Sequence, residues 1–101
     1  LEIINMMYLV GYDVNTTTTK GKKRLNKVAK ICCNYGQRVQ NSLFECNLDS
    51  AQYVKFKDSL LDIADLEEDS IRIYHLGKKY QPKIEHFGIK DTYDPEDTLI
   101  L

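Results

Sequence analysis

The chain has 101 residues, 43% of them hydrophobic and 29% charged, and a formal net charge of −1. This composition is typical of one soluble globular domain, which we expect in the cytoplasm. No apolar run approaches the roughly 20 residues of a membrane span, so we expect no membrane association. The opening five residues lack a signal-peptide pattern. We interpret them as a cloning remnant or an upstream extension, and we place the single domain at residues 6–101.

Charge is distributed unevenly along the chain. No acid lies between Asp13 and Glu45, whereas the segment from Glu45 to Asp69 is acidic. The basic residues of the acid-free interval are Lys20, Lys22, Lys23, Arg24, Lys27, Lys30 and Arg38. This asymmetry suggests one surface that binds the phosphates of nucleic acid and another that avoids them, although a solvated helix face would give the same pattern.

The three cysteines do not indicate a site. Their odd number argues against a disulfide framework, and no cysteine or histidine spacing matches a zinc site. We interpret Cys32, Cys33 and Cys46 as small buried hydrophobic residues in a reducing cytosol.

The first half of the chain predicts a strand followed by a helix. Residues 6–14 are almost continuously apolar, which is typical of a central strand buried on both faces. A polar loop follows over residues 15–21, and a helix is predicted from about Lys22 to a stop at Gly36. One face of this helix carries Leu25, Val28, Ala29 and Cys32.

The middle of the chain predicts a strand pair and a second helix. Residues 37–48 have strand composition, with a turn near residues 40–42. Asp49 and Gln52 have the spacing of a capping box, so a helix begins there. Its buried face is predicted to hold Tyr53, Phe56, Leu60 and Ile63.

The last third predicts further strands. Residues 70–77 alternate in polarity, and residues 83–88, "KIEHFG", predict a short strand. The apolar end of "YDPEDTLIL" suggests pairing with a sheet edge, in this chain or in a partner. The resulting order is βαββαβ, so we predict an α+β ferredoxin-like fold. It has an antiparallel sheet, two helices on one face and extra C-terminal strands.

These motifs together resemble a known family. A strand ending in Tyr-Asp-Val, a basic first helix, "RVQNSLFEC" and "DSIRIYHLG" occur in the order found in the small CRISPR-associated adaptation nucleases, the Cas-two family. The resemblance covers residues 6–101. The segments "YGQRVQNSLFEC" and "YDP…LIL" are most similar to the type I-C branch.

The resemblance implies a homodimer with metal-dependent nuclease activity on RNA or double-stranded DNA. It also implies a partnership with the Cas-one integrase. In that complex the small dimer bridges two integrase dimers and binds the protospacer DNA that becomes a new spacer.

The resemblance also implies a set of site residues. Asp13 corresponds to the family's metal-binding aspartate, with Tyr12 before it, and the other candidates are Arg38, Ser42 and Phe44. We expect Mg²⁺, with Mn²⁺ as the alternative, held by Asp13 from both protomers across a twofold axis. Without the family, Asp13 could equally be an Asx-turn or a cap at a strand end.

Three functions remain in competition at this point. The first is a metal-dependent endonuclease, the second a non-catalytic DNA scaffold in the integrase complex, and the third a toxin-type ribonuclease on the same fold. An RNA-recognition motif shares this fold, but its sheet signature of glycines and aromatic residues is missing. We interpret His75 and His86 as packed or hydrogen-bonded residues on strands, and no Ser-His-Asp arrangement can be argued.

Overall fold

The structure is a computed structural model, and it describes residues 3–89. It contains one four-stranded antiparallel sheet with two helices. In chain order the elements are β1 (Met6–Asp13), α1 (Thr19–Tyr35), β2 (Gln37–Gln40), β3 (Leu43–Leu48), α2 (Ser50–Ile63) and β4 (Ser70–Gly77). The strands lie in the order β2-β3-β1-β4, so the predicted α+β ferredoxin-like fold is confirmed.

The core lies between the helices and one face of the sheet. Because side chains alternate along a strand, β1 directs Tyr8, Val10 and Tyr12 toward the helices. From α2, Phe56 and Leu60 pack into the same cluster, as the periodicity predicted. The predicted faces of both helices are confirmed, since their other members are buried or packed against this core.

Capping residues decide where the helices begin. The Thr18 hydroxyl accepts a hydrogen bond from the Gly21 backbone N–H at 3.0 Å, so α1 begins at Thr19 rather than near Lys22. The loop between β1 and α1 is therefore shorter than predicted, because Thr18, one of its threonines, caps the helix. The predicted stop at Gly36 and the predicted Asp49 capping box of α2 are both confirmed.

The second face of the sheet is not covered by a helix. The prediction that β1 is central is confirmed, but burial of both its faces is wrong for a single chain. Leu9 and Gly11 are only half-buried, and Tyr74 of β4 is 46% exposed on this side. A second layer would therefore bury further apolar area here.

The hairpin turn and β4 match the sequence prediction, whereas "KIEHFG" does not. The turn falls at Asn41 and Ser42, and β4 covers residues 70–77. Residues 83–88 hold no strand: Lys83 ends a short 3-10 helix, Gln81–Lys83, and residues 83–86 line a cavity on the uncovered sheet face together with Leu9 and Leu76. The predicted turn and strand in residues 93–101 lie outside the described part. Within residues 3–89, neither helix has the length and hydrophobicity of a membrane span.

Candidate functional site

Asp13 is the last residue of β1, and its carboxylate is free. It is exposed, and it forms no hydrogen bond or ion pair with any residue in the described range. The alternative interpretation as an Asx-turn belongs instead to Asn15, whose Oδ1 accepts from the Thr17 backbone N–H at 3.0 Å. The pairing with Ser70 of β4 holds the Asp13 backbone in the sheet, and its exposed side chain is available to a ligand.

Four of the five predicted catalytic residues line one open cleft beside α1. The cleft has a volume of about 420 Å³. The predicted residues in its lining are Tyr12, Asp13, Arg38 and Ser42. The β2–β3 hairpin brings Arg38 and Ser42 to the end of β1, where the Tyr12 backbone N–H donates to the Ser42 carbonyl at 3.2 Å. The fold thus joins the end of β1 to residues that lie 25 to 30 positions later in the chain.

Phe44 supports this cleft from below and does not line it. Its ring is completely buried, stacks on Tyr12 with 6.0 Å between centroids, and lies 5.1 Å from the Arg38 guanidinium carbon. A guanidinium over an aromatic face is held by cation–π attraction. The Arg38 Nε is buried and finds no hydrogen-bond partner among residues 3–89. Arg38 therefore lies against the Phe44 ring, acts on Tyr12 by charge and hydrogen bonding, and lines the cleft.

Tyr12 is a neutral phenol in this environment. Burial is the main cause that raises the pKa of Tyr12, and the nearby Cys32 adds to it, while Arg38 opposes both. Because the phenol keeps its proton at neutral pH, Tyr12 can donate or accept a hydrogen bond but does not serve as a base.

The predicted basic residues on α1 do not form one uniform set. The five lysines are all exposed, which fits the predicted charged face. They are Lys20, Lys22, Lys23, Lys27 and Lys30. Lys22 lies one turn before Asn26, which lines the Asp13 cleft, so this lysine shares the cleft side of the helix. The lysines therefore form a solvent-facing positive surface beside the site.

Arg24 differs from the lysines because it is paired within the chain. Its Nε and Nη2 donate to the Asp69 carboxylate at 2.8 and 3.1 Å, and its side chain is only 18% exposed. The hydrogen bond from Arg24 is the largest cause that lowers the pKa of Asp69 to about 2. Arg24 is thus part of a partly buried ion pair, and its prediction as a free phosphate contact does not fit this geometry.

The cysteines and histidines contribute no nucleophile or base to the cleft. Burial raises the pKa of both Cys32 and Cys46 to about 12, which confirms their interpretation as packing residues. Cys33 differs from the prediction because it is exposed. His75 lies on β4 with its Nε2 3.5 Å from the Tyr53 hydroxyl. His86 lies on no strand, contrary to prediction, and its Nε2 is 3.0 Å from the Gly88 carbonyl oxygen.

One chain offers an incomplete ligand set for a metal. No group of three or more His, Cys, Asp or Glu side chains within residues 3–89 could hold a metal ion. Asp13 alone supplies one hard oxygen donor, which fits Mg²⁺ only if a second carboxylate, water or phosphate oxygens complete the shell. The donor chemistry is therefore compatible with Mg²⁺, and residues 3–89 of one chain leave the ligand shell incomplete.

Comparison with known proteins identifies the family. The sequence model of the CRISPR associated protein Cas2 family matches residues 6–84, which include every candidate residue of the cleft. The chain belongs to the Cas2 family. Two Cas2 relatives each match over 96 residues, 95% of this chain and their own whole length. The Halalkalibacterium halodurans protein, 55% identical, is named CRISPR-associated endonuclease Cas2. The Chlorobaculum tepidum protein, 54% identical, is named CRISPR-associated endoribonuclease Cas2.

Solved structures support the same assignment. Streptococcus pyogenes Cas2, crystallised at pH 6.5, is 55% identical, with a TM-score of 0.72, and the match covers 82% of this chain and 100% of that one. A Thermus thermophilus protein described as hypothetical is 30% identical, with a TM-score of 0.69, covering 84% of this chain and 93% of that one. The ferredoxin-like sheet is therefore shared with known Cas2 structures.

Sequence reasoning missed three residues of this Cas2-family site. Asn26 and Asn41 line the cleft, but isolated asparagines gave no signal. Asp69 was seen only as part of an acidic connection. Its position just before β4, which pairs with the end of β1, was the signal that could have placed it near Asp13.

Proposed function

We propose that this chain is an endonuclease of CRISPR adaptation that hydrolyses phosphodiester bonds with a divalent metal. The observation that carries the proposal is the exposed Asp13 carboxylate, which has no hydrogen-bond partner within residues 3–89, in one cleft with Arg38 and Ser42. An exposed carboxylate suits a metal, while a guanidinium that lines the same cleft suits a phosphate oxygen. The names of the two relatives support nuclease chemistry, and they leave the choice between RNA and double-stranded DNA open.

The proposed working unit is a homodimer in which both protomers supply Asp13. Two observations support it. Among residues 3–89, Asp13 is the single carboxylate that lines the cleft, and the second face of the sheet leaves Leu9 half-buried and Tyr74 46% exposed. A twofold axis near the end of β1 would bury this face and bring two carboxylates to one ion. Metal binding would then depend on dimer formation.

In the proposed mechanism each residue has a limited role. Asp13 from both protomers would hold Mg²⁺, or Mn²⁺ in its place, and the ion would supply Lewis-acid polarisation of the phosphate and a more acidic water. Arg38 donates hydrogen bonds to a non-bridging phosphate oxygen, and Ser42 can donate a further one. Phe44 fixes the Arg38 guanidinium from below, and neutral Tyr12 forms one wall of the cleft.

The lysines of α1 are proposed to hold nucleic acid independently of its sequence. Contacts between lysines and phosphates bind any sequence and weaken as salt increases, which suits capture of arbitrary foreign DNA. We propose that the protospacer lies along this surface while the dimer bridges two dimers of the Cas-one integrase. Family membership favours this CRISPR role over a toxin-type ribonuclease.

A non-catalytic scaffold is the second candidate. The observation that favours it is that the five exposed lysines need neither Asp13 nor a metal to bind phosphate. The scaffold predicts that Asp13→Asn still supports spacer acquisition, whereas charge reversal at Lys23, Lys27 or Arg38 prevents it. Nuclease and scaffold roles are compatible in one dimer.

The deciding experiment is a cleavage assay on linear double-stranded DNA and on single-stranded RNA. Wild type and Asp13→Asn are compared, each with Mg²⁺ and with chelator. Cleavage that requires both Asp13 and Mg²⁺ supports the nuclease and identifies its substrate. Equal cleavage by the two proteins would indicate contamination and leave the scaffold as the function.

We also propose that the chain belongs to the type I-C branch, because "YGQRVQNSLFEC" and the C-terminal "YDP…LIL" are most similar to that branch. The genes that flank its own gene test this assignment. A neighbouring integrase gene within a type I-C operon would support it, and the gene set of another subtype would contradict it.

A further inference from the structure

Asp69, the residue just before β4, joins the segments around the candidate site. Its carboxylate accepts hydrogen bonds from the backbone N–H groups of Asn15 and Asp65, at 3.1 and 3.0 Å. It also accepts the two bonds from Arg24, and its side chain is 0% exposed. One buried carboxylate therefore ties together the loop after β1, helix α1 and the connection between α2 and β4.

The Asp69 carboxylate is connected to Asp13 in two ways, along the chain and across the sheet. Asn15, which it holds, follows Asp13 by two residues, and Ser70, its own neighbour, pairs with Asp13 across the sheet. The Asn15 side chain is held as well, because its Nδ2 donates to the Glu68 carboxylate at 2.7 Å. The backbone that follows Asp13, and the start of the strand that pairs with it, are thus held by contacts of Asp69 and its neighbours.

Helix α1 packs directly on the same loop. A Cβ atom added to Gly21 would lie 1.9 Å from the Asn15 carbonyl oxygen, so only glycine permits this approach in the first turn of the helix. Arg24, one turn further along, then reaches Asp69 in a two-pronged ion pair. The loop after β1, helix α1 and the residue before β4 are thus held together next to the cleft.

We propose that Asp69 is a positioning residue, which orients the Asp13 carboxylate for metal binding by holding the loop that follows it. This inference rests on the proposed nuclease function. A metal ligand must be held within roughly 0.5 Å of its productive position, and supporting hydrogen bonds of this kind provide that precision. Arg24 acts in the same unit, so it contributes to site geometry and not to phosphate binding.

The test compares Asp69→Asn with Asp62→Asn, an exposed aspartate on α2 that forms no hydrogen bond within the described residues. The Asn side chain keeps the size of Asp69 but removes its charge and one acceptor oxygen. The first readout is the Mg²⁺ concentration that gives half-maximal cleavage. The second needs no activity: it is the broadening by Mn²⁺ of the backbone NMR signals of residues 12–14.

For Asp69→Asn we expect the half-maximal Mg²⁺ concentration to rise by roughly 10- to 100-fold, the usual effect of losing a residue that supports a metal ligand. Broadening by Mn²⁺ should require a correspondingly higher concentration. Asp62→Asn should match wild type in both readouts. Affinity for a fluorescent DNA duplex in chelator should be unchanged in both variants, because the lysines remain.

A second variant keeps the test informative if Asp69→Asn does not fold. Arg24→Lys keeps the charge but cannot form the two-pronged pair, so it should raise the Mg²⁺ requirement by a smaller factor. The proposal is overturned if both folded variants lose only thermal stability and keep the wild-type response to Mg²⁺ and Mn²⁺. If wild type cleaves nothing, the proposed nuclease has failed, and the Mn²⁺ broadening still decides whether Asp69 positions Asp13.

Discussion

Asp13 and Asp69 lie at adjacent ends of two paired strands, and their surroundings are opposite. Asp69 is buried and accepts four hydrogen bonds, and its pKa is lowered to about 2, mainly by Arg24. Asp13 is exposed and accepts none from the described residues. The comparison shows that a carboxylate that accepts several hydrogen bonds from the protein stabilises the fold. The exposed carboxylate next to it is available to a ligand.

The largest expected effect is that substitutions at these two positions change different properties, cleavage at Asp13 and stability at Asp69. Asp13→Asn should reduce cleavage to the level seen with chelator, while its free energy of unfolding stays within about 0.5 kcal/mol of wild type, as for an exposed side chain. Asp69→Asn should destabilise by about 1–3 kcal/mol, because buried donors lose their partner. Urea unfolding and the cleavage assay measure both. A large stability loss in Asp13→Asn would contradict the comparison.

Phe44 tests whether the ring that packs beneath the cleft stabilises the fold. Phe44→Ala should lower the free energy of unfolding by about 3–5 kcal/mol, because the ring is completely buried and its removal leaves a cavity. Denaturant unfolding measures the loss, and Phe87→Ala, at a ring that is 84% exposed, is the matched control. A change below about 1 kcal/mol would mean that the ring is not packed as described.

The exposed lysines of α1 test whether this exposed surface binds nucleic acid. Replacing Lys23 and Lys27 by alanine should reduce the slope of log affinity for duplex DNA against log salt by about 0.9 per lost contact. Fluorescence anisotropy over a salt series measures this slope. Lys55→Ala, on the exposed part of α2, serves as the control and should not change it. An unaltered slope in the double variant would remove α1 from the nucleic-acid surface.

The smallest expected effect is a pH dependence of stability. Because folding lowers the pKa of Asp69 to about 2 from an ordinary value near 4, its stabilisation is complete above about pH 4. That stabilisation is lost as the pH falls through the folded value. Unfolding free energies measured from pH 5 to pH 2 should decline less in Asp69→Asn than in wild type. Parallel declines in the two proteins would show that Asp69 is not the titrating group.

Local patterns in the sequence determined most of the fold. Apolar alternation predicted β4, the capping-box spacing predicted the start of α2, and Gly36 predicted the end of α1, because each signal acts within a few residues. Two of the failed predictions show the limits of local patterns. The cap at Thr18 was hidden among four threonines, and the strand predicted over residues 83–88 depended on an edge that local composition does not reveal.

The sequence by itself determined the order of the helices and strands in residues 6–77, the end of α1, the capped start of α2 and the acid-free basic interval, and it made Asp13 a candidate site residue. Only the tertiary structure decided which charges remain free. It paired Arg24 with Asp69 across 45 residues, joined Arg38 and Ser42 to Asp13 in one cleft, and placed Phe44 beneath them. The physical reason is that burial and hydrogen bonding are set by long-range packing, so a charged residue shows its role only when its neighbours in space are known.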